Sequence, residues 1–456
     1  MSQSPARFRE LAAFTRDAMP RYRVPGVALG IVAGDDEHMA TFGVTSAENP
    51  LPVDADTLFQ IGSTTKTITG TVVMRLVEAG KLDLDTPLRA YLPDLRLADE
   101  GVAQAVTPRH LLTHTGGWVG DTFDDTGWGD DALSQMVGRM DRIPQVTPLG
   151  DRFSYNNAGF YLAGRLIEVA TGESYEKATH RLLLDPLGMT RSFFFPSQAM
   201  SYRFAVGHIA ADGPPKVARP WELARNANPV GGLASSVTDQ LRYARFHLGD
   251  GAALDGARLL SAATMQAMQT PLLPMDSFGG WRGITWAIRA MGGITTVAHG
   301  GATNGQMSAF MLAPSHGFAV TVLTNADTGG QLQLEVVKEA LRLFLGIDEP
   351  PPAHQTLSEA QLAEYAGRYA GALANVEVSV QDGQLMLQAI PNGGFPYPDS
   401  PPGPTPPPVR VAFVGPDHIL ALDPPNKDVH AEFQRDPAGR VAWLHFGGRA
   451  RRRVEP

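Results

Sequence analysis

A serine and a lysine three positions apart, Ser63 and Lys66, could form a nucleophilic pair. Residues at this spacing share one face of a helix, so the Lys66 amine can reach the Ser63 hydroxyl. A free serine hydroxyl is a weak nucleophile, and a neighbouring amine can accept its proton. A helix that begins here also offers backbone N–H groups where the charge of an acyl oxyanion develops. Taken alone, the spacing is common by chance and more often marks a surface or capping serine.

A tyrosine and an asparagine about ninety residues later, Tyr155 and Asn157, could serve the same chemistry. Tyrosine keeps its proton up to a pKa of about 10, and a lysine ammonium beside it favours the phenolate. Tyr155 is therefore a candidate general base, whereas Asn157 could orient Lys66 and hydrogen-bond a substrate amide. In isolation, a tyrosine before two asparagines is more often a turn with a half-buried ring.

A third group, His299-Gly300-Gly301-Ala302, follows a strand-like segment at residues 295–298. Small residues allow substrate backbone to lie along a strand edge, and the Ala302 N–H can join that of Ser63 as an oxyanion hole. A histidine beside two glycines is otherwise more often a turn residue. The order and separation of the three groups are improbable together by chance.

A helix with a wide apolar face would carry the first group. From Ser63 to Val77 the apolar residues recur at helical spacing, and Gly80 ends the pattern. This helix should be buried at the centre of its domain.

Strand-like segments on both sides of a helical region predict a single sheet. A helix at residues 7–19 precedes strand-like segments, which recur after a mostly helical middle that extends to about residue 270. These segments are residues 27–32, 39–44, 284–288, 295–298, 308–312 and 318–324. Joining them requires an antiparallel sheet flanked by helices with an inserted helical lobe, an α+β fold.

A proline-rich linker at residues 348–356 separates two predicted domains, residues 1–347 and 357–456. Consecutive prolines cannot continue a helix or a central strand. Beyond them, alternating apolar residues near 376–387, 409–414, 417–422, 429–434 and 440–446 predict a small all-β domain, an up-and-down barrel or a sandwich, and we favour the barrel. Residues 391–408 contain nine prolines and predict an extended, exposed insertion.

Together these residues resemble the serine β-lactamase and penicillin-binding superfamily, specifically its class C-like branch with esterases and D-aminopeptidases. The resemblance covers roughly residues 5–345 and includes further segments, which are residues 80–88, 107–118, 185–189, 231–239 and 321–325. It implies that Ser63 is the nucleophile, Lys66 and Tyr155 the proton-handling pair, and Asn157 the orienting amide. It also implies that His299 to Ala302 face the substrate and that the barrel is similar to the lipocalin-like appendages of those enzymes.

One departure from the superfamily concerns the third group. β-Lactamases and cell-wall transpeptidases carry Lys-Thr-Gly where this chain has His299-Gly300-Gly301. A largely neutral imidazole holds a carboxylate less well than a lysine does. The change favours amides or esters that lack the carboxylate of penicillins, and the His-x-Gly form resembles D-aminopeptidases and related peptidases.

The composition excludes several other classes of function. The net charge of −9 argues against nucleic acid, and the basic run at residues 449–453 is interpreted as a solvated tail. The absence of cysteine excludes disulfides and thiol nucleophiles. No apolar run is long enough for a membrane span, and the N-terminus lacks a signal-peptide pattern, so a cytoplasmic protein is expected.

Two sets of residues invite a functional interpretation that the sequence leaves weak or open. His110 and His114 have the spacing of a zinc pair, but without an adjacent glutamate or a third ligand they are expected to be structural. Trp118, Phe123 and Trp128 could line a substrate cleft or pack in the core, and the sequence does not separate these alternatives.

The expected function is that of a serine hydrolase without metal or organic cofactor. Its acyl-enzyme on Ser63 would cleave a small-molecule amide, ester or peptide substrate, with D-amino-acid-containing peptides favoured. The alternatives are a carboxylesterase or weak β-lactamase, or a penicillin-binding sensor that acylates without turnover. The sequence leaves open whether the protein forms homo-oligomers.

Overall fold

We describe a computed structural model, in which residues 4–211, 213–253, 255–275, 280–424 and 426–454 are placed. The outer ends of the two predicted domains and the start of the N-terminal segment considered for a signal peptide lie outside these residues. Within them, no helix combines the length and apolar character that crossing a bilayer requires.

An antiparallel sheet forms the frame of the first domain. From edge to edge, its strands in the described residues are β2 (Asp36–Gly43), β1 (Gly26–Ala33), β13 (Phe318–Thr324), β12 (Met307–Ala313), β11 (Ile294–Ala302), β10 (Ala287–Met291), β9 (Trp281–Arg282) and β8 (Leu273–Pro274). The side chains of β1 and β13 are buried on both faces, which explains why apolar residues occupy successive positions in both strands.

Helices supply the rest of this domain. They are α1 (Ser4–Ala18), α2 (Thr65–Glu78), α3 (Glu100–Ala105), α4 (Pro108–Leu112), α5 (Ala132–Val137), α6 (Ala158–Thr171), α7 (Tyr175–Thr179), α8 (Pro196–Ala199), α9 (Asn228–Gly231), α10 (Val237–Leu248), α11 (Ala262–Met268) and α12 (Gly329–Leu345). Two small sheets join the helical lobe to the centre. The first contains β3 (Phe59–Gln60), β4 (Ser192–Phe193) and β7 (Ala234–Ser235), and the second β5 (His208–Ile209) and β6 (Lys216–Val217).

The sheet has a separate apolar core on each face. Alternate residues of β1 divide between them, because Leu29 packs with α1 and α12 whereas Ala28 packs with α2 and α10. All of α2 except its last turn is buried, so the helix predicted to be central occupies that place. The predicted α+β class is confirmed.

A closed barrel follows α12, a coil at residues 348–354 and the short helix α13 (Glu359–Ala363). Its strands in the described chain are β14 (Gly367–Ala370), β15 (Ala374–Gln381), β16 (Gln384–Pro391), β17 (Val409–Gly415), β18 (His418–Ala421), β19 (His430–Arg435), β20 (Val441–Phe446) and β21 (Arg449–Val454). Tyr369, Phe433 and Leu444 are among the residues that fill its interior.

Two sequence predictions, one of a strand and one of a solvated tail, were wrong. The strand expected at residues 284–288 is displaced, because Thr285 has a φ of 66° and its N–H donates to the Leu112 carbonyl oxygen. The chain therefore turns between β9 and β10, and Trp286 is buried in the core.

The basic run at residues 449–453 is not a solvated tail but part of β21. This strand pairs with β20 and β14 and so closes the barrel. Arginines can occupy a strand because their long stems pack along the protein while the charged heads reach polar partners. Arg453, for example, donates to the Glu364 carbonyl oxygen at 2.9 Å.

Candidate active site

Ser63 lies in a 3₁₀ turn that leads directly into α2. Gly62 has a φ of 50°, and a side chain there would collide with the backbone of Ala302. The Ser308 hydroxyl on β12 donates to the Ile61 carbonyl oxygen at 2.7 Å. The turn is thus fixed between helix and sheet, with Ser63 facing the cavity.

The Lys66 side chain is fully buried behind Ser63. Its Nζ donates to Ser63 Oγ at 3.1 Å and to the Val230 carbonyl oxygen at 2.7 Å. Burial lowers the pKa of Lys66 well below its ordinary value, and the charges of Arg449 and Arg282 lower it further. The neutral amine is therefore favoured, and its lone pair can take the Ser63 proton.

The Tyr155 ring lies beside this pair, just before α6. Lys66 Nζ is 5.0 Å and Arg449 Cζ 4.7 Å from the ring centroid, and His114 stacks on the ring at 4.4 Å. Burial raises the pKa of Tyr155, although a hydrogen bond with Ser63 and the Arg449 charge oppose the rise. The raised pKa favours the protonated phenol, whereas the sequence predicted a phenolate. The reason is that burial outweighs the nearby positive charges.

Asn157 connects the site to a partly buried ion pair. Its Nδ2 donates to Asp121 Oδ1 at 2.7 Å, while its own Oδ1 is buried and has no hydrogen-bond partner among the residues that the structure describes. Arg449 donates to both carboxylate oxygens of Asp121, at 3.0 and 3.1 Å. Burial raises the pKa of Asp121, but the Arg449 charge and hydrogen bonds outweigh it and hold that pKa below its ordinary value.

The His299-Gly300-Gly301-Ala302 group forms the end of β11 and lines the cavity. A side chain at Gly301 would collide with the Ile61 carbonyl oxygen, so glycine is what allows the strand to approach the Ser63 turn. His299 Nδ1 lies 2.6 Å from the Gly300 carbonyl oxygen. Burial lowers the pKa of His299 well below its ordinary value, with smaller contributions from Arg282 and Lys66, so the imidazole is neutral at pH 7.

The barrel forms one wall of this site. The turn between β20 and β21 reaches the catalytic side chains, because the Tyr155 N–H donates to the Gly448 carbonyl oxygen at 2.8 Å. The Ala450 N–H donates to Ser154 Oγ at 3.2 Å. From the proline-rich insertion, Phe395 packs edge-on against Phe123 at 5.0 Å.

A cavity of about 610 Å³ extends between the two domains. Apolar side chains supply much of its lining, including Phe153, Leu223 and Met275. The insertion is therefore more than an exposed loop, since Phe395 and Pro396 also face the cavity.

The two histidines with zinc spacing have separate structural settings. His110 Nδ1 accepts from the Thr107 N–H at 3.2 Å in a capping box of α4. His114 is buried, and its Nδ1 accepts from the Asn156 N–H at 2.9 Å. In the part of the chain that the structure describes, no group of three histidine or acidic side chains converges as metal ligands.

The three aromatic residues that the sequence left open occupy different environments. Trp118 is buried in the core, Phe123 lines the cavity, and Trp128 is 46% exposed. Only the structure could separate these roles, because all three lie in one irregular segment without periodicity.

Sequence reasoning missed Asp121, Arg282, Arg449 and Ser308. Arg449 had a usable signal, because Gly447-Gly448 follows an alternating segment as a hairpin turn would, and both glycines have positive φ. Ser308 lies on the strand after Ala302, but only the pairing of β11 with β12 brings it to the Ser63 turn. Asp121 and Arg282 lie outside the recognised groups, and only the folded chain brings them to the site.

Comparison with known sequences identifies the family of the first domain. The family model described as Beta-lactamase matches residues 11–341. Penicillin-binding protein 4 of Amycolatopsis lactamdurans is 36% identical over 359 residues, which cover 76% of this chain and 93% of that protein.

Two solved structures are similar over different extents. SurE with D-Leu has a TM-score of 0.76 at 27% identity and covers 99% of this chain and 100% of its own. The class C beta-lactamase from Rhodobacter sphaeroides has a TM-score of 0.60 at 23% identity and covers 73% of this chain and 99% of its own, a likeness of fold. The likeness to SurE therefore includes the barrel.

Proposed function

The chain belongs to the beta-lactamase family and is a serine hydrolase, and from this premise we propose that it cleaves small amides or esters through an acyl-enzyme on Ser63. One observation carries the proposal. The Ser63 hydroxyl lies 3.1 Å from a buried lysine amine at the wall of a cavity that can hold a small substrate. The pKa of that lysine is lowered, so the amine is suited to activate the hydroxyl.

Acylation in this proposal divides the proton transfers between two groups. Neutral Lys66 takes the Ser63 proton as Oγ attacks the substrate carbonyl carbon, while its N–H bond to the Val230 carbonyl oxygen keeps the lone pair directed at Ser63. The C–N or C–O bond then breaks. Tyr155 gives its proton to the departing nitrogen or oxygen, a role that its raised pKa favours.

Backbone N–H groups are assigned the role of stabilising the oxyanion. The N–H groups of Ser63 and Ala302 lie where β11 meets the Ser63 turn, and the glycines at 62 and 301 permit this approach. Donors fixed by the backbone stabilise developing charge without reorganisation. Water then attacks the acyl carbon and gives one proton to the Lys66–Tyr155 pair. The bond between the acyl carbon and Ser63 Oγ breaks, and the pair passes one proton to Ser63 Oγ as the acid is released.

Peptides that contain D-amino acids are the proposed substrate class. SurE, whose crystal structure holds D-Leu, is similar to this chain over both domains. The neutral His299 and the barrel wall also distinguish this cavity from that of an enzyme with a Lys-Thr-Gly strand. Both features support a peptide or amide in preference to a penicillin.

The test compares D- and L-amino-acid p-nitroanilides, p-nitrophenyl acyl esters and nitrocefin on the purified protein. We expect D-anilide and ester turnover to exceed that of the L-anilides and of nitrocefin. Preferential nitrocefin hydrolysis would favour a β-lactamase instead, and stable trapping by penicillin without turnover would favour a sensor.

A further inference from the structure

His114 has an unfavourable backbone conformation directly beside the catalytic groups. It follows the end of α4, and its φ of 58° lies in the left-handed region that residues other than glycine rarely adopt. Its side chain is buried, and its Nε2 has no hydrogen-bond partner among the described residues. A strained backbone and an unsatisfied polar atom both oppose folding. Where both occur at one residue beside a reacting group, they indicate a functional role for that residue.

His114 binds the chain on both sides of Tyr155. Its carbonyl oxygen accepts from the Ser154 N–H at 3.0 Å, and its ring Nδ1 accepts from the Asn156 N–H at 2.9 Å. The His114 ring also stacks on the Tyr155 ring, with the centroids 4.4 Å apart and the planes at 28°. These three contacts leave the phenol little freedom to turn away from Ser63, with which it forms a hydrogen bond.

One arrangement of the ring proton satisfies these contacts of His114. A backbone N–H can only donate, so Nδ1 accepts with its lone pair and the ring proton lies on Nε2. If Nδ1 instead donated to the Asn156 carbonyl oxygen, 3.2 Å away, the buried Asn156 N–H would lose this acceptor. Burial lowers the pKa of His114 well below its ordinary value, and nearby Arg282, Lys66 and His299 lower it further. The ring is therefore neutral at pH 7 and keeps its acceptor nitrogen.

We propose that His114 is a positioning residue that holds the Tyr155 phenol where it can protonate the leaving group. This inference rests on the acyl-enzyme function proposed above. His114 itself exchanges no proton, and the proton passes from Tyr155 Oη to the departing nitrogen or oxygen as its bond to the acyl carbon breaks. A p-nitroanilide needs this proton because an anilide anion is a very poor leaving group, whereas p-nitrophenolate leaves without it.

The test compares the p-nitroanilide and the p-nitrophenyl ester of N-acetyl-D-alanine in the parent and in His114→Asn. Asparagine tolerates a left-handed backbone and offers an oxygen acceptor, but it lacks the ring that covers Tyr155. We expect kcat/KM to fall about 30-fold or more for the anilide and about threefold for the ester, because a misplaced proton donor affects the bond that needs the proton. Equal losses on the two substrates would overturn the proposal.

His110→Asn provides the matched control. His110 is half-buried and lies four residues earlier, and its Nδ1 accepts from the Thr107 N–H in the cap of its own helix. This variant should lower kcat/KM for both substrates by the same small factor. A selective loss on the anilide in His110→Asn would assign the effect to the end of α4 and would also overturn the proposal.

A double variant separates this inference from the mechanism on which it rests. Tyr155→Phe removes the proton donor and should lower kcat/KM for the anilide about 100-fold or more. Adding His114→Asn should lower it by less than about twofold further, because no proton remains to be positioned, and independent losses that multiply would contradict the proposal. Equal losses of anilide and ester turnover in Tyr155→Phe would instead refute proton transfer by Tyr155. The coupling of the two variants would then still report whether His114 positions Tyr155.

NMR spectroscopy of the parent protein decides if His114→Asn fails to fold. The ¹⁵N signals of His114 should show the neutral Nε2–H form between about pH 6 and pH 9, because the pKa of the ring is lowered. A proton on Nδ1 would overturn the proposal. A parent protein that fluorophosphonate does not label would refute the acyl-enzyme itself, whereas the spectrum would still report on the contact between His114 and Asn156.

Discussion

The two domains contribute to one cavity from different kinds of structure. The first domain supplies Ser63, Lys66 and His299 from the start of a buried helix and the end of an interior strand. The barrel supplies Gly448 from a turn and Arg449 from the start of β21, and its own core includes neither residue. The reacting groups thus lie where packing fixes the backbone on all sides, while the barrel contacts and neutralises groups that the first domain already holds.

This difference has a consequence for catalysis. The barrel donates no group to the bond-breaking steps that we propose, yet it accepts the Tyr155 N–H and provides the counter-ion of Asp121. Its contribution should therefore be smaller than that of the nucleophile but measurable. The following predictions test that ranking, beginning with the largest effect.

Ser63→Ala should abolish turnover, because no other serine hydroxyl that lines the described cavity is hydrogen-bonded to Lys66. The loss in kcat should be about 10⁵-fold or more. Turnover of a p-nitrophenyl ester and fluorophosphonate labelling measure it. Ser315→Ala, at an exposed serine, is the control and should behave as the parent. Labelling that persists in Ser63→Ala would refute the assignment.

A chain that ends at residue 350 should fold but react slowly. Loss of the barrel removes the Gly448 carbonyl that accepts from Tyr155 and the Arg449 charge that pairs with Asp121. Ester kcat/KM should therefore fall about 10- to 100-fold. Circular dichroism and steady-state kinetics measure the two parts of this prediction.

Lys338→Met in the full chain is the control for the truncation. It breaks the surface ion pair with Asp428 between the domains without changing the cavity, so activity should stay within about twofold. Full activity of the truncated chain would mean that the barrel does not support Tyr155. An unfolded truncated chain would mean that the barrel is part of the first domain's stability.

Arg449→Met should lower ester kcat/KM about tenfold, because it leaves the buried Asp121 carboxylate unpaired. The Arg449 charge lowers the pKa of Lys66 and Asp121 raises it. Removing Arg449 therefore raises the pKa of Lys66, and the acid limb of the kcat/KM profile should move to higher pH. Adding Asp121→Asn should reverse part of both effects. An unchanged profile in Arg449→Met would contradict this role.

The sequence and the structure agree most closely in the first domain. The family resemblance and α+β class are confirmed, and the predicted strand at residues 318–324 has the bounds of β13. These elements have strong periodicity or motifs set by local packing. Arg282 and Asp121 could not be predicted, because their settings depend on strand pairing and on contact with the barrel. The burial that sets the Tyr155 pKa likewise exists only in the folded chain.

The remaining misreading concerns charge. From the sequence, residues 449–453 were predicted to be solvated, because arginines are usually exposed. In the structure, β21 pairs with β14 and β20, and Arg449 is half-buried against Asp121. A charged strand is thus compatible with partial burial where guanidinium groups such as those of Arg449, Arg451 and Arg453 find acceptors, and only the fold provides those acceptors.

The smallest predicted effect concerns the stability of the protein in acid. It arises in the barrel, away from the catalytic groups. His445 on β20 is buried, and within the described part of the chain neither ring nitrogen has a hydrogen-bond partner. Burial lowers the pKa of His445 to about 4, and the charges of Arg152 and Arg451 contribute. The unfolded chain takes up this proton below a pKa of about 6.5 whereas the folded chain does not, so this histidine reduces the free energy of unfolding as pH falls from 6.5 to 4. Its share is about 1.4 kcal/mol per pH unit in that window.

His445→Met should therefore weaken the pH dependence of unfolding between pH 6.5 and 4.5 by up to that amount, because methionine takes up no proton in the unfolded chain. Urea unfolding at a series of pH values measures the slope. His316→Met, at an exposed histidine, is the matched control and should leave the slope unchanged. Ester kcat/KM at pH 7.5 should also stay near the parent value, since His445 does not line the cavity. An equal slope in His445→Met and the parent would mean that His445 binds its proton in the folded barrel as readily as in the unfolded chain.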